Sequence, residues 1–365
     1  MKVLFTSYIY IASFNDPEQW IERIKGYTGV LESLSKYHTI ISIEQINYNG
    51  ELNKNGVKYY FRSFKKKTSL FPVQLHSFIK KLNADIIVVH GTHFPLQVIQ
   101  LKAAIGNTVQ IIVQNHAEKP FNKPKRYLQK LADKYITAYI FTSEEMAVDW
   151  ITKKIISDKK KVWGIMEGSS HFRQINKIQA KNQTGVTGSP VFLFVGRLDD
   201  NKDPLKVVSS FLRYNEQQPS SRLYMIFHAT ELLDVIKESV AQRNNGNTVL
   251  LAGKQDHHEM LYWYNSADFI ISASHYEGSG IAVCEGMSCG CIPVLTNIPS
   301  FRKITANGSC GLLYDINESD GLMNALIQTQ FLNIEAEKEK VLKQFNEDLS
   351  FDAIAKQIAE KIKAL

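Results

Sequence analysis

The sequence predicts two α/β domains, each a mainly parallel sheet covered by helices on both faces. Three observations carry this: short apolar runs alternate with longer amphipathic stretches, a polar stretch interrupts that rhythm near the middle, and the charge balance changes sign there. The length of 365 residues suits two domains. With 44% hydrophobic and 22% charged residues, and only 20 Gly and 10 Pro, disordered, collagen-like and mucin-like chains are excluded.

In the first half, continuous β-branched and aromatic runs predict strands at 2–7, 38–43, 85–90, 109–114, 138–142 and 162–165. Helical spacing predicts helices over 18–35, 73–82, 96–105, 123–135 and 144–155. The second half repeats the scheme, with strands at 191–195, 222–227, 248–251, 269–272 and 292–295. Its helices fall at 204–214, 232–242, 258–265 and 281–289, with several more after Ser319. Between Phe172 and Pro190 the pattern lapses into polar residues followed by Gly185 and Gly188, as in a linker. The expected division is therefore a first domain over 1–172, a linker over 173–190 and a second domain over 191–349.

Residues 1–190 carry 27 basic and 14 acidic side chains, a net of +13, whereas residues 191–365 carry 16 and 22, a net of −6. The excess in the first half is clustered: Arg62 with Lys65, Lys66 and Lys67; Lys119, Lys123, Lys125 and Arg126; Lys153, Lys154 and Lys159 to Lys161. Solvated faces are the plain account of any one cluster, and attraction to an anionic partner or membrane surface is the sharper one. No recognisable nucleic-acid motif accompanies the charge, so a nucleic-acid partner is not expected. The amino-terminal apolar run is too short for a signal peptide, and no window reaches the ~20 apolar residues of a membrane span. Four cysteines (Cys284, Cys289, Cys291, Cys310) lie in one late stretch without a CxxC pair. A reducing, cytoplasmic setting is expected, with a peripheral membrane position as the variant.

Ligands of such sheets bind beyond the carboxyl ends of the strands, so the loops there carry the chemistry. One loop, Gly196-Arg197-Leu198-Asp199-Asp200-Asn201-Lys202-Asp203-Pro204, turns on a glycine and sets two cations five positions apart. Arg197 can grip phosphate oxygens in pairs, and Lys202 adds a point charge. Asp203 and Pro204 suit a helix N-cap and first helical position, while Asp199-Asp200 reads as a solvated turn. A second loop runs from His275 through Glu277, Ser279 and Gly280 into a helix starting near Ile281, with Glu285 in its second turn. The free N–H groups at that helix start favour an anion. Glu277 and Glu285 would flank it from two sides, where carboxylates suit hydroxyls better than phosphates. A diphosphate with hydroxyls on both sides is a nucleotide sugar. The plain alternatives are a helix-dipole role for Glu285 and a solvated loop acid at Glu277.

The Gly196-Arg197-Leu198 turn with Lys202, the Glu-x7-Glu pair of Glu277 and Glu285, Cys289-Gly290-Cys291-Ile292-Pro293-Val294 and Gly311-Leu312-Leu313-Tyr314 together resemble glycosyltransferase family 4 over about 191–315. That resemblance implies two Rossmann-like domains with parallel sheets facing a central cleft, the GT-B architecture, and a retaining transfer that needs no metal or cofactor. It also implies that Gly196, Arg197, Lys202 and the backbone of Ser279, Gly280 and Ile281 hold the donor diphosphate. Glu285 would meet the ribose and Glu277 the transferred sugar. His116 would stand near the reacting centre, making it, with Glu277, Arg197 and Lys202, the catalytic set; a turn histidine is its plain alternative. His90 and His93 are candidates for the acceptor side. The final helix, 350–365, would cross back onto the first domain. The partners implied are a nucleotide sugar and a glycan or lipid-linked acceptor. Two departures fall in the first half: the loop from Tyr8 to Trp20 lacks glycine, and the family's asparagine–glycine turn reads Glu167-Gly168-Ser169-Ser170-His171. They leave open an unusual acceptor, an impaired enzyme or a non-catalytic nucleotide-sugar binder. An epimerase or hydrolase of the same architecture is a further alternative.

Overall fold

The structure is a computed structural model and describes residues 1–64, 70–243 and 247–365. The expected lysine cluster at Lys65, Lys66 and Lys67 lies outside the described residues. The chain forms two compact units, Met1–Ser169 with Phe351–Leu365, and Ser170–Ser350.

The first unit is built around β1 (Lys2–Ser7). Helices α1 (Pro17–Arg23) and α2 (Lys25–Leu34) lead to β2 (Thr39–Glu44), a hairpin of β3 (Gly50–Lys54) and β4 (Val57–Phe61), and α3 (Val73–Lys81). The remaining elements are β5 (Ile86–His90), α4 (Pro95–Ile105), β6 (Gln110–Gln114), α5 (Arg126–Asp133), β7 (Ala138–Phe141), α6 (Val148–Thr152) and β8 (Val162–Gly164). The sheet order is β3-β4-β2-β1-β5-β6-β7-β8, parallel except for β3 against β4. Strand cores such as Ile86–Val89 are buried throughout, which explains their unbroken apolar sequence.

Two expectations are corrected in this unit, and one pair of strands was not expected. The single helix over 18–35 is two helices, because Ile24 leaves helical geometry at φ −106°. The helix over 144–155 shortens to a 3-10 turn at Glu144–Ala147 followed by α6. The β3–β4 hairpin was missed, although Asn55-Gly56, both with positive φ, is the turn that a two-residue hairpin demands.

The second unit opens with α7 (Lys177–Thr184), so the expected linker over 173–190 is not a plain linker. Asn176 caps this helix by accepting from the Gln179 N–H at 3.0 Å, Gly185 closes it in the left-handed conformation, and it packs on α10 (Met260–Ser266). Its polar sequence reflects an exposed face. Strands β9 (Val191–Val195), β10 (Arg222–Ile226), β11 (Val249–Gly253), β12 (Phe269–Ser272), β13 (Ile292–Thr296) and β14 (Leu312–Tyr314) form a parallel sheet in the order β11-β10-β9-β12-β13-β14. Helices α8 (Pro204–Gln217), α9 (Leu233–Arg243), α11 (Ile281–Ser288), α12 (Pro299–Ile304), α13 (Gly321–Gln328) and α14 (Ile334–Gln344) cover it. Strand β9 lies between β10 and β12, so the order reverses there, and the loops after β9 and β12 flank the crevice of a doubly wound sheet.

The chain then returns to the first unit as α15 (Phe351–Lys363), which packs on α2. The Phe351 ring lies where a Cβ on Gly29 would stand, 2.6 Å away, so that position has room only for glycine. Lys36 Nζ and Asp352 Oδ1 pair beside it at 2.6 Å. Among the described residues, no helix is long and apolar enough to cross a membrane.

Candidate functional site

The loops after β9 and β12 meet as the topology requires. His275 donates its N–H to the Asn201 carbonyl at 2.8 Å, and Asn201 Nδ2 donates to the Tyr276 carbonyl at 2.9 Å. Between them lies a cavity of about 460 Å³, within the range of small-ligand pockets. Gly196, Arg197, Lys202, Glu277, Ser279, Gly280, Ile281 and Glu285 all line it, together with Lys254, Gln255 and His257. The structure thus gathers in one cavity every second-half residue that the sequence assigned to the diphosphate, the ribose or the transferred sugar.

The cations are held by carboxylates. Lys202 Nζ pairs with Glu277 Oε2, both side chains about four-fifths buried. Arg197 Nη2 lies 2.9 Å from Asp199 Oδ2 with half its side chain exposed. The reading of Asp199-Asp200 as a solvated turn is corrected for Asp199. It is buried, and it accepts the Lys202 N–H at 3.0 Å as well as pairing with Arg197; only Asp200 is exposed. Asp203 caps α8 by accepting from the Lys206 N–H at 3.1 Å, with Pro204 at the first helical position.

At the mouth of α11, Gly280 takes φ +56°, and no side chain caps the helix. Ser279, Gly280 and Ile281 line the cavity at this helix start, where backbone N–H groups without a helical partner lie. Deeper in, Glu285 is 9% exposed, and each of its oxygens has one donor: Tyr264 OH at 2.8 Å and His257 Nε2 at 2.9 Å. Burial and the Glu285 charge push the Tyr264 phenol well above its ordinary range, so it stays protonated and donates. His257 in turn stacks on Phe172 at 4.9 Å. Neither Tyr264 nor His257 was singled out in the sequence; their signal is their place in the turn and helix after β11. The four cysteines are buried, and burial pushes the Cys289 and Cys310 thiols up to about 12, which leaves them unsuited as nucleophiles.

The first unit holds a second arrangement, at the carboxyl ends of β5 and β6. Glu167 Oε2 pairs with His116 Nδ1; His116 Nε2 lies 3.1 Å from His90 Nδ1; His90 Nε2 lies 2.8 Å from Tyr27 OH. The two imidazoles stack at 5.2 Å and the Tyr27 ring stands edge-on to His90. Burial, reinforced by the neighbouring His116, holds His90 well below the ordinary histidine range. Burial also pulls on His116, but the hydrogen bond and charge of Glu167, with the charge of Glu118, outweigh it and raise His116. The two stacked rings thus differ in proton affinity, His90 holding a proton less readily than an ordinary histidine and His116 more readily. Glu118 fixes the loop below by accepting from Thr92 Oγ1 at 2.8 Å and the His116 N–H at 2.9 Å. His93 stands apart from the chain, stacked on Phe121 at 4.7 Å with Nε2 3.2 Å from the Lys119 carbonyl. Tyr27 was not foreseen; Glu167, noted only as a departure, proves to be the partner of His116.

A doubly wound sheet with a charged cavity at its reversal point places the second unit among Rossmann-like α/β folds. Residues 176–347 match the family model of group 1 glycosyl transferases, so the family signature lies in the second unit. A GDP-mannose:cellobiosyl-diphosphopolyprenol alpha-mannosyltransferase of Xanthomonas oryzae is 25% identical over 158 residues, 43% of this chain and 41% of that protein. The chain therefore spans well under two thirds of that relative. A UDP-Gal:alpha-D-GlcNAc-diphosphoundecaprenol alpha-1,3-galactosyltransferase of Escherichia coli is 25% identical over 295 residues, 75% of each chain. Among solved structures, Anabaena Alr3699/HepE in complex with UDP superposes over 100% of both chains with a TM-score of 0.73 at 14% identity, a likeness of fold. The expected two-domain architecture is met along the whole chain, and the resemblance to group 1 transferases in its second half.

Proposed function

We propose that the protein transfers a sugar, with retention, from a nucleoside diphosphate sugar to a glycan or lipid-linked acceptor that is anionic or membrane-associated. The observation carrying this is the single cavity that unites Arg197, Lys202, the start of α11, Glu277 and Glu285. The relatives' names support both ends of the reaction: each pairs a nucleotide-sugar donor with a polyprenol-linked diphosphate acceptor.

In this reading Arg197, Lys202 and the N–H groups of Ser279, Gly280 and Ile281 hold the diphosphate, and these two cations supply the charge compensation without a metal. Their task is electrostatic, since negative charge grows on the departing phosphate as the C1–O bond breaks; one such group is worth about 3 kcal/mol. Lys202 exchanges its Glu277 partner for phosphate, which frees Glu277 for the sugar hydroxyls. Glu285 accepts the ribose hydroxyls with the lone pairs left over from Tyr264 and His257. The acceptor oxygen attacks C1 on the face the phosphate leaves, and its proton passes to the departing phosphate oxygen. His116 stands by the sugar, and His90 and His93 serve the acceptor side.

A thermal-shift panel of nucleotide sugars tests the donor half, because a ligand at a hundred times its Kd stabilises by about 2.7 kcal/mol. One donor is expected to stand out, and labelled sugar from it should appear on a lipid-linked acceptor. Epimerised or hydrolysed donor without transfer would replace the reading with one of the alternatives. Binding without turnover on any acceptor would make the protein a sensor.

A further inference from the structure

Helix α5 is built inside out. Its inward face carries, beside the core residue Ala132, polar Gln129 and Asp133, both 3% exposed. Each is satisfied internally: Gln129 Oε1 accepts the Phe121 N–H at 3.0 Å, and Asp133 accepts from Tyr139 OH at 3.1 Å and from Lys161 Nζ at 3.2 Å. Its outward face is apolar, with Tyr127 64%, Leu128 38% and Leu131 41% exposed, continued by Tyr135 beyond the helix end. A solvated helix carries the opposite pattern, since an exposed apolar row gains nothing from water.

The surroundings of this row have one sign of charge. Lys119, Lys123, Lys125, Arg126, Lys130 and Lys134 fall within the same stretch, and its one acid, Asp133, is buried. Lys123, Lys125 and Lys134 are exposed. An apolar row rimmed by cations matches an anionic bilayer, where rings and leucines enter the headgroup boundary and ammonium groups meet phosphates. Helix α3 packs on α4 and α4 on α5, and the start of α3 leaves Leu70, Phe71 and Val73 exposed as well. Because β4, β5 and β6 are parallel, all three helices start at the carboxyl edge of the sheet, where His90 and His116 lie.

We propose that the outward face of α5 docks the first unit on an anionic lipid surface. Docking sets the carboxyl edge of the sheet at the interface, within reach of a headgroup. It extends the transfer reading by naming the surface that meets a membrane-borne acceptor, yet it stands on α5 alone and is tested without donor or acceptor.

The test is co-sedimentation of the full chain with vesicles of phosphatidylcholine alone and of phosphatidylcholine with an equal part of phosphatidylglycerol. The wild-type chain is expected to sediment with the anionic vesicles only, and to be released by about 0.5 M salt, which shortens the screening length to a few ångströms. The double substitution Tyr127→Ser/Leu131→Ser should weaken vesicle binding at least about tenfold. Lys123→Glu/Lys130→Glu should weaken it comparably and flatten its salt dependence. Both variants should keep the wild-type melting temperature, since these side chains contribute little to the core. Equal binding to both vesicle types, no binding to either, or undiminished binding by the serine variant overturns the proposal. A serine variant whose only change is conversion of a dimer to a monomer overturns it too, and assigns the face to a second copy of the chain. Loss of transfer with vesicle binding intact would count against the transfer reading alone.

Discussion

The two units place their chemistry at the same point of the same kind of sheet, but assemble it differently. In the second unit the charged groups come from two loops, each a short run of sequence: Arg197, Asp199 and Lys202 in one, Glu277 and Glu285 in the other. In the first unit, neighbours in the chain from Tyr27 to Glu167 are separated by 63, 26 and 51 positions. The second site is made of fixed charges that compensate one another; the first is made of rings whose charge depends on protons. A polyanion needs a cradle that is charged at every working pH, which Arg and Lys provide. A group handling neutral hydroxyls is better served by histidine, which titrates near neutrality.

The sharpest break of this comparison is Lys202→Ala. It should lower sugar transfer by about two orders of magnitude, close to 3 kcal/mol in the barrier, while the melting temperature stays near wild type. His116→Ala should leave nucleotide binding at the second unit unchanged, as measured by titration with the bare nucleoside diphosphate. Equal loss of nucleotide affinity in both variants would dissolve the distinction.

The next effect concerns acid stability, and it should arise in the first unit. Burial lowers the pKa of His76 to about 4, and its ring lies 2.9 Å from Tyr8 OH. A base whose folded pKa is depressed is stabilising above its unfolded pKa of about 6.5, and that stability drains away as pH falls toward the folded value. The loss between pH 6.5 and 4 is about 3 kcal/mol. His76→Gln keeps an amide for Tyr8 and removes the titration, so its urea midpoint should fall less steeply over this range than that of wild type.

A smaller effect tests the rigid start of α11. Gly280→Ala places a side chain at φ +56°, with its Cβ 2.9 Å from Ile304 Cδ1, and should cost about 1–2 kcal/mol in chemical unfolding. The smallest is Glu167→Gln. Since Glu167 raises His116, the variant should move the His116 ring titration downward in an NMR pH series. A raised histidine stabilises below its unfolded pKa and loses that contribution as pH rises through the folded one. The variant should therefore be less stable than wild type in mild acid and equal to it in alkali.

The contrast also explains what could be read from residues alone. The parallel sheets were legible because strands buried on both faces are written as unbroken apolar runs, as in Ile86–Val89 and Val191–Phe194. The second unit's cavity was legible because each of its loops is local: a glycine turn, a capped helix start and a fixed Glu spacing. Helix α7 was hidden because its polar outer face looks like a linker, and α5 was read only as a helix because periodicity does not say which side faces inward. The histidine chain was hidden because its links depend on strand register, which aligns His90 of β5 with Gln114 of β6 and so brings His116 alongside. Asp199 looked solvated because adjacency to Asp200 says nothing of which of the two turns inward.

The return of the chain through α15 has a practical consequence for dissecting the molecule. Residues 170–350 are a continuous insert within the first unit, entered and left once each. A gene fragment covering that insert encodes every residue lining the second unit's cavity. The first unit, by contrast, has to be rebuilt by joining Ser169 to Phe351, since cutting the chain at Ser350 removes the Phe351 ring from Gly29 and bares the apolar side of α2. Truncation within α15 would accordingly injure the first unit and spare the second.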